Sequence, residues 1–358
     1  MSATVSSPLR EAPQYEEFYG FVQSPFTLAP DPRFLYLSES HDAALHLLLQ
    51  SIRRREGIVV LTGDIGTGKT TVCRSVLERL DMTSFTSLLL NPFLSVEELL
   101  REILLDFGVV SREAVRSGRV AAATKHELVS TLHEFLTSLV PIGGSGVLII
   151  DEAQHLSPQV LEEIRVLSNL ETNQSKLLQI VLVGQLNLLD VLGTPAVRKL
   201  DQRISLRAVL QPLTRADVEA YIGHRLSVAR GSSSVTFDAR ALDLIHAFSK
   251  GVPRVINLLC DRALMLGARF GLRVITTDVV TEAAGSLGLR APRTRTQAWA
   301  QGALRWAPIA AAILALLAAL LLFAPLHRLV DASLPAVRAP SMRTFSPPPL
   351  PAVELAAL

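Results

Sequence analysis

The segment GDIGTGKT at residues 63–70 fits the spacing G-x-x-x-x-G-K-[ST]. It constrains the fold more than any other feature, because such a loop can cradle phosphate only where it joins a strand to a helix. Its flanks meet that condition: residues 58–62 (IVVLT) read as a buried strand and residues 70–80 (TTVCRSVLERL) as a helix. The glycines let the backbone turn tightly, so that successive N–H groups point at one centre, and the helix N-terminus adds partial positive charge there. The residues expected around a phosphate are Gly63, Asp64, Ile65, Gly66, Thr67, Gly68, Lys69, Thr70 and Thr71. Lys69 is expected to reach the β- and γ-phosphates, and the Thr70 hydroxyl to bind Mg²⁺. The alternative, a glycine-rich turn carrying a surface lysine, does not account for the strand–loop–helix context.

A second motif, VLIIDEAQHL at residues 147–156, places Asp151 and Glu152 at the end of an apolar strand. In an open α/β sheet, ligands bind at the carboxyl ends of the strands. Asp151 is expected to hold Mg²⁺ directly or through water, and Glu152 to activate or orient an attacking water. Alone, an acidic pair after a strand is a weak signal. Some 80 residues beyond a phosphate loop it becomes a strong one.

Further short apolar runs at 86–90, 178–183 and 204–209 alternate with helical patterns. Residues 37–210 are therefore expected to form a parallel α/β sheet buried on both faces by helices. From 211 to 288 strand signals fade, and a small helical domain is expected. Thr214, Asp238 and Thr277 are its expected N-caps, with Pro253 at a first helical position. Residues 1–36 carry five prolines and read as an arm without a long helix. Residues 289–305 read as a basic linker.

Residues 306–326, WAPIAAAILALLAALLLFAPL, carry no charge. About 20 apolar residues suffice to cross a bilayer core, so one transmembrane helix is expected. Four arginines lie on its N-terminal side and three beyond it, which weakly favours the N-terminal part inside. A cytosolic ATP site would fix the same orientation. The proline-rich residues 327–358 read as a disordered tail. With 49% hydrophobic residues the chain is not globally disordered. Two distant cysteines exclude a disulfide framework, no Cys/His cluster has zinc spacing, and no Ser–His–Asp signature is present. A net charge of +2 gives no reason to expect nucleic acid as a partner.

The phosphate loop, the Asp–Glu pair and the helical lid together resemble an AAA+ ATPase. The stretches at 18–45, 62–71, 148–156, 178–192 and 251–264 narrow the likeness to the ExeA-like family, secretion ATPases of the general secretion pathway A type and those accompanying exosortase systems. The resemblance covers residues 15–288 and implies a bacterial inner-membrane, single-pass protein with a cytoplasmic ATPase domain. It implies a homo-oligomer and a partner protein in a secretion or envelope-export machine. It also implies a sensor role near the γ-phosphate for Gln185 and a lid sensor role for Arg254. An arginine finger acting in trans falls on Arg203 or Arg198. Family members of the general secretion pathway A type carry a peptidoglycan-binding domain beyond the membrane helix. Only about 32 residues follow residue 326 here, and direct peptidoglycan binding is not expected of them.

Two other classes stay open: a DNA-associated ATPase of the transposition-targeting type, and an ATP-gated scaffold with little turnover. Of the remaining residues, Arg53, Arg54 and Arg55 read as a solvated helix end. His41 and His46 read as surface or packing residues, Arg207 as structural, and Cys73 as lacking a catalytic partner.

Overall fold

The computed structural model describes residues 15–116, 123–229 and 235–289, together with 309, 311–315 and 318. Residues 1–14, nearly all of the expected linker, most of the 306–326 run and the 327–358 tail lie outside the described residues. Of the apolar run, residues 309, 311–315 and 318 are helical and exposed. Among the described residues, no helix is long and apolar enough to cross a membrane.

Five parallel strands, β1 (Ile58–Gly63), β2 (Ser84–Leu89), β3 (Ser145–Ile150), β4 (Leu178–Gly184) and β5 (Ile204–Leu210), form one sheet in the order β2-β3-β4-β1-β5. Every strand end falls within two residues of its expected position. Alternation along β1 divides two cores. Ile58 and Val60 enter one, while Val59 and Leu61 enter the other. Helices α1 (Tyr15–Tyr19), α2 (Glu39–Arg53) and α3 (Lys69–Glu78) come first in the chain, and α2 and α3 cover the second core through Leu45, Leu48, Val72 and Val76. On the opposite face come α4 (Val96–Asp106), α6 (Lys125–Ser138), α7 (Pro158–Leu167), α8 (Leu188–Leu192) and α9 (Arg198–Asp201), with the short α5 (Arg112–Arg116) following α4 in the chain. Of these, α4, α6 and α7 supply ten leucines and isoleucines of the first core.

Burial on both faces holds for β1, β3 and β4 but not for the sheet edges. β5 exposes Ser205, Arg207 and Val209, and β2 is only partly buried. An edge strand lacks a neighbour on one side, so polar residues are tolerated there.

The second region holds α10 (Arg215–Val228), α11 (Ala239–Ser249), α12 (Pro253–Arg269) and α13 (Thr277–Ser286). Thr214 closes a capping box with Asp217, Asp238 caps α11, and Pro253 opens α12. The cap of α13 is Thr276 rather than the expected Thr277. This region is not purely helical. Two-residue strands β6 (Thr236–Phe237) and β7 (Val274–Ile275) pair in parallel, a length that leaves no periodic trace in a sequence.

The arm packs into the same core as the lid. Tyr15, Tyr19, Phe21 and Phe26 are buried among Val218, Ile222, Leu259 and Leu264. The Tyr19 hydroxyl donates to the Leu272 carbonyl at 2.9 Å. The Arg225 guanidinium donates to the carbonyls of Pro25 (2.6 Å) and Thr27 (3.1 Å) and lies 4.6 Å from the centre of the Phe34 ring.

Candidate functional site

The loop between β1 and α3 is held open by bonds to its carbonyls. Gly66 and Gly68 have φ of +79° and +98°, a left-handed backbone that favours glycine. Lys69 Nζ donates to the carbonyls of Gly63 (3.0 Å) and Asp64 (2.9 Å), and the Thr67 hydroxyl donates to the Asp64 carbonyl at 2.8 Å. The Gly66 carbonyl accepts from the backbone N–H of Arg254 at 3.2 Å. A Cβ on Gly66 would lie 2.6 Å from the Arg254 Cβ, so the lid and the loop are in close contact. The Thr67 carbonyl is 2.8 Å from His41 Nε2. The Ile65 and Thr67 N–H groups are bonded within the loop, to the Asp64 side chain and carbonyl, while the Gly66 and Thr67 carbonyls are engaged by Arg254 and His41. Lys69 is buried, and burial lowers its pKa while Glu152, Asp151 and Asp64 oppose that shift.

The acidic pair meets this loop. The Thr70 hydroxyl donates to Asp151 Oδ2 at 2.5 Å across 81 positions of sequence. Asp151 is buried at the end of β3, where its N–H donates to the Leu89 carbonyl. Glu152 has φ +52°, a conformation that costs a non-glycine residue about 1–3 kcal/mol. Its Oε2 accepts from Gln154 Nε2 at 2.6 Å and from Gln185 Nε2 at 3.5 Å. Gln154 also accepts the backbone N–H of Gln185 at 3.1 Å, so it ties Glu152 to the end of β4. Gly184 makes room for this, since a Cβ there would lie 2.7 Å from Gln154 Oε1. The sequence reading placed Gln185 but missed Gln154, whose only signal is its position two residues after Glu152.

A cavity of about 330 Å³ runs from the loop to the lid. Residues 65–71 and Glu152 line one end, residues 27–31 and 34–36 of the arm line a wall, and Tyr221, Arg225, Arg254 and Asn257 come from the lid. At its buried end Arg225 donates to the Tyr221 hydroxyl at 2.8 Å, which in turn donates to Asn257 Oδ1 at 2.8 Å. The arm residues were missed as part of the site because proline-rich sequence reads only as irregular.

The arginine candidates lie elsewhere. Arg198 opens α9, Arg203 directly precedes β5, and both are exposed. Neither lines the cavity. Register pairs Ile204 with Ile58, so Arg203 sits at the end of the sheet opposite the loop that follows Gly63. Arg207 pairs with Asp201 at 2.6 Å. Two readings are corrected. His41 is buried and bonded to the phosphate loop, whereas His46 is exposed beside Asp42. Arg55 is no solvated helix end, because Nη2 donates to the carbonyls of Gly143 (2.8 Å) and Gly144 (3.0 Å). Cys73 is fully buried, and burial pushes its thiol pKa up.

Residues 52–192 match the family described as AAA domain. General secretion pathway protein A of Aeromonas hydrophila is 40% identical over 277 residues, covering 77% of this chain and 49% of that protein. ATP-dependent target DNA activator B of Escherichia phage Mu is 29% identical over 169 residues, covering 46% of this chain and 48% of that protein. The chain thus spans about half the length of the curated relatives it matches. Among solved structures, the Aeropyrum pernix ORC2 protein aligns with a TM-score of 0.58 at 16% identity, over 75% of this chain and 72% of that one. Cdc6p from Pyrobaculum aerophilum aligns with a TM-score of 0.57 at 17% identity, over 75% and 72%. At such identities the likeness concerns the fold alone. With the phosphate loop, the acidic pair and the relative in Aeromonas taken together, the chain belongs to the ExeA-like family of AAA+ ATPases.

Proposed function

We propose that the chain is a membrane-anchored ATPase that converts ATP and water to ADP and phosphate in the service of a secretion or envelope-export machine. The observation that carries the catalytic part is the 2.5 Å bond from Thr70 to Asp151, which joins the two motifs at one point beside Lys69. In this reading the triphosphate lies along residues 65–71, and the purine end is enclosed by the arm and the lid. Lys69 would exchange its two loop carbonyls for β- and γ-phosphate oxygens. Thr70 and Asp151 would hold Mg²⁺. A hydroxyl and a carboxylate suit a hard cation, and among the described residues no cluster of His, Cys, Asp and Glu could hold a metal by itself. When bound, the ion would neutralise charge on the β- and γ-phosphate oxygens. Glu152 would take the proton of the attacking water, with Gln154 and Gln185 fixing its carboxylate. Arg254 would reach the nucleotide from the lid, and Arg203, or else Arg198, would act on a neighbouring copy's nucleotide in a homo-oligomer.

Anchoring is proposed on the apolar sequence at 306–326, with the ATPase domain on the cytoplasmic face of the inner membrane. The secretion partner is proposed from the similarity to general secretion pathway protein A. Phosphate release by the purified chain tests the activity, and its absence despite ATP binding would leave a scaffold. Pull-down from detergent-solubilised membranes with Glu152→Gln, which should hold ATP without turning it over, tests the partner. A chain ending at residue 303 should leave the membrane fraction; its retention there would reject the anchor.

One observation favours a second reading. The similarity to a target DNA activator of phage Mu makes duplex DNA a conceivable ligand. That match covers 46% of the chain against 77% for the secretion relative, and the net charge is only +2. Tight duplex binding with a steep salt dependence would reverse the ranking.

A further inference from the structure

We propose that His41 is a positioning residue for the phosphate loop, donating from Nε2 to the Thr67 carbonyl and so aiming the next amide at the phosphate. The inference rests on the reading that the cavity takes ATP. His41 lies in the first turn of α2, is 3% exposed, and has partners at both ring nitrogens. Nδ1 is 2.7 Å from the Ser38 hydroxyl, and Nε2 is 2.8 Å from the Thr67 carbonyl. A carbonyl only accepts, so Nε2 carries the proton. In the neutral ring Nδ1 then accepts from Ser38. Burial lowers the His41 pKa, in keeping with a neutral ring.

Ser38 shows that this orientation is built in. It is the N-cap of α2, where a serine ordinarily accepts a backbone N–H of the first turn, yet it makes no such cap bond. Its hydroxyl faces the imidazole three residues on instead.

The consequence for the loop follows from peptide geometry. In a trans peptide the C=O and the next N–H point in opposite directions. Drawing the Thr67 carbonyl toward α2 therefore turns the Gly68 N–H the other way, into the concave side of the loop. Gly68 has no side chain and a φ of +98°, and the local bonds on either side, from Thr67 to the Asp64 carbonyl and from the Val72 N–H to the Gly68 carbonyl, leave the Thr67 carbonyl itself without a restraint. His41 supplies that restraint, and a Cβ on Gly68 would lie 3.5 Å from its Nε2. Lys69 holds the Gly63 and Asp64 carbonyls and Arg254 that of Gly66, but none of their bonds reaches Thr67.

The test compares two side chains of similar bulk in the full-length chain. His41→Gln keeps an N–H donor, whereas His41→Leu fills the space without one. MgATP affinity by calorimetry is expected to fall about tenfold or more in His41→Leu and to stay within about threefold of wild type in His41→Gln. Turnover at saturating ATP should change little in either, because the lost interaction serves binding. Long-range ¹H–¹⁵N spectra of the wild-type ring should show a protonated Nε2 and an acceptor Nδ1. Wild-type affinity in His41→Leu, equal losses in both variants, or a proton on Nδ1 alone would each overturn the inference. A wild-type chain that binds no ATP would instead bring down the functional reading, and this inference with it.

Discussion

The phosphate-binding edge of the sheet and the arm with its lid meet at one cavity, yet they are specified in opposite ways. The edge is written locally. Eight consecutive residues set the loop, and a strand ending in four apolar residues delivers Asp151 and Glu152 to its rim. The arm is specified by distant packing: Tyr19 bonds to Leu272, and Pro25 and Thr27 to Arg225, about 200 positions away or more. Backbone geometry that one motif imposes is legible in a sequence, whereas a wall assembled from two ends of a chain is not. The two regions should therefore fail differently when cut.

The largest effects belong to the edge. Lys69→Ala removes a buried cation and its donors, and charge-assisted bonds contribute about 1.5–3 kcal/mol each. A loss of about 10²–10⁴ in ATP affinity is expected, with the thermal stability of the arm and lid core unchanged. Calorimetry and melting curves check both halves, and unaltered affinity would reject the assigned loop. Glu152→Gln should separate the steps within the edge. Glutamine keeps the shape but is a poor base, so turnover should fall about 10²–10⁴-fold while ATP still binds. Turnover within a few-fold of wild type would remove Glu152 from the chemistry.

Legibility followed the same division. The five strands were readable because the central ones are continuous apolar runs, and the boundaries drifted only at ends where no residue marks a stop. Lys69, Thr70 and Asp151 were readable because motif spacing places them. Gln154 and His41 were not, since each acts through a side-chain bond to a group 31 or 26 positions away, and a buried polar residue looks like any other in sequence. Arg55 was misread for a related reason. A cation after a helix end is commonly solvated, and only the fold brings the Gly143 and Gly144 carbonyls to it.

Phe26→Ala tests the other region. Phe26 is 2% exposed in the core that the arm shares with the lid, and truncating such a ring typically costs about 3–5 kcal/mol. Because residues 27–31 and 34–36 line the cavity, ATP affinity should weaken as well, although no phosphate contact is touched. A simple tether would respond otherwise, with stability and affinity both intact. That outcome would detach the arm from the site and leave the edge to act alone.

The smallest effect asks what holds the arm at its first described helix. The Tyr15 hydroxyl donates to Asp261 Oδ1 at 2.5 Å. Burial raises the Asp261 pKa above its ordinary 3.8, and the Tyr15 bond only partly opposes that shift. A carboxyl whose pKa is raised by folding favours the folded state fully below the unfolded value, and that contribution is lost as pH rises through the folded value. At neutral pH the charged Asp261 is therefore a small cost to docking the arm. Asp261→Asn removes the charge and keeps an oxygen that can accept from Tyr15. It should raise stability by about 0.5 kcal/mol at pH 7, a modest figure because Asp261 is only half-buried and water screens it. The gap should narrow as the pH is lowered from 7 through the raised pKa of the wild-type carboxyl. Melting temperatures of the two proteins across that range provide the check. A less stable Asn variant at pH 7 would mean that the charge-assisted bond from Tyr15 outweighs the burial of Asp261, and the arm would then be clamped by its polar tip as well as by its rings.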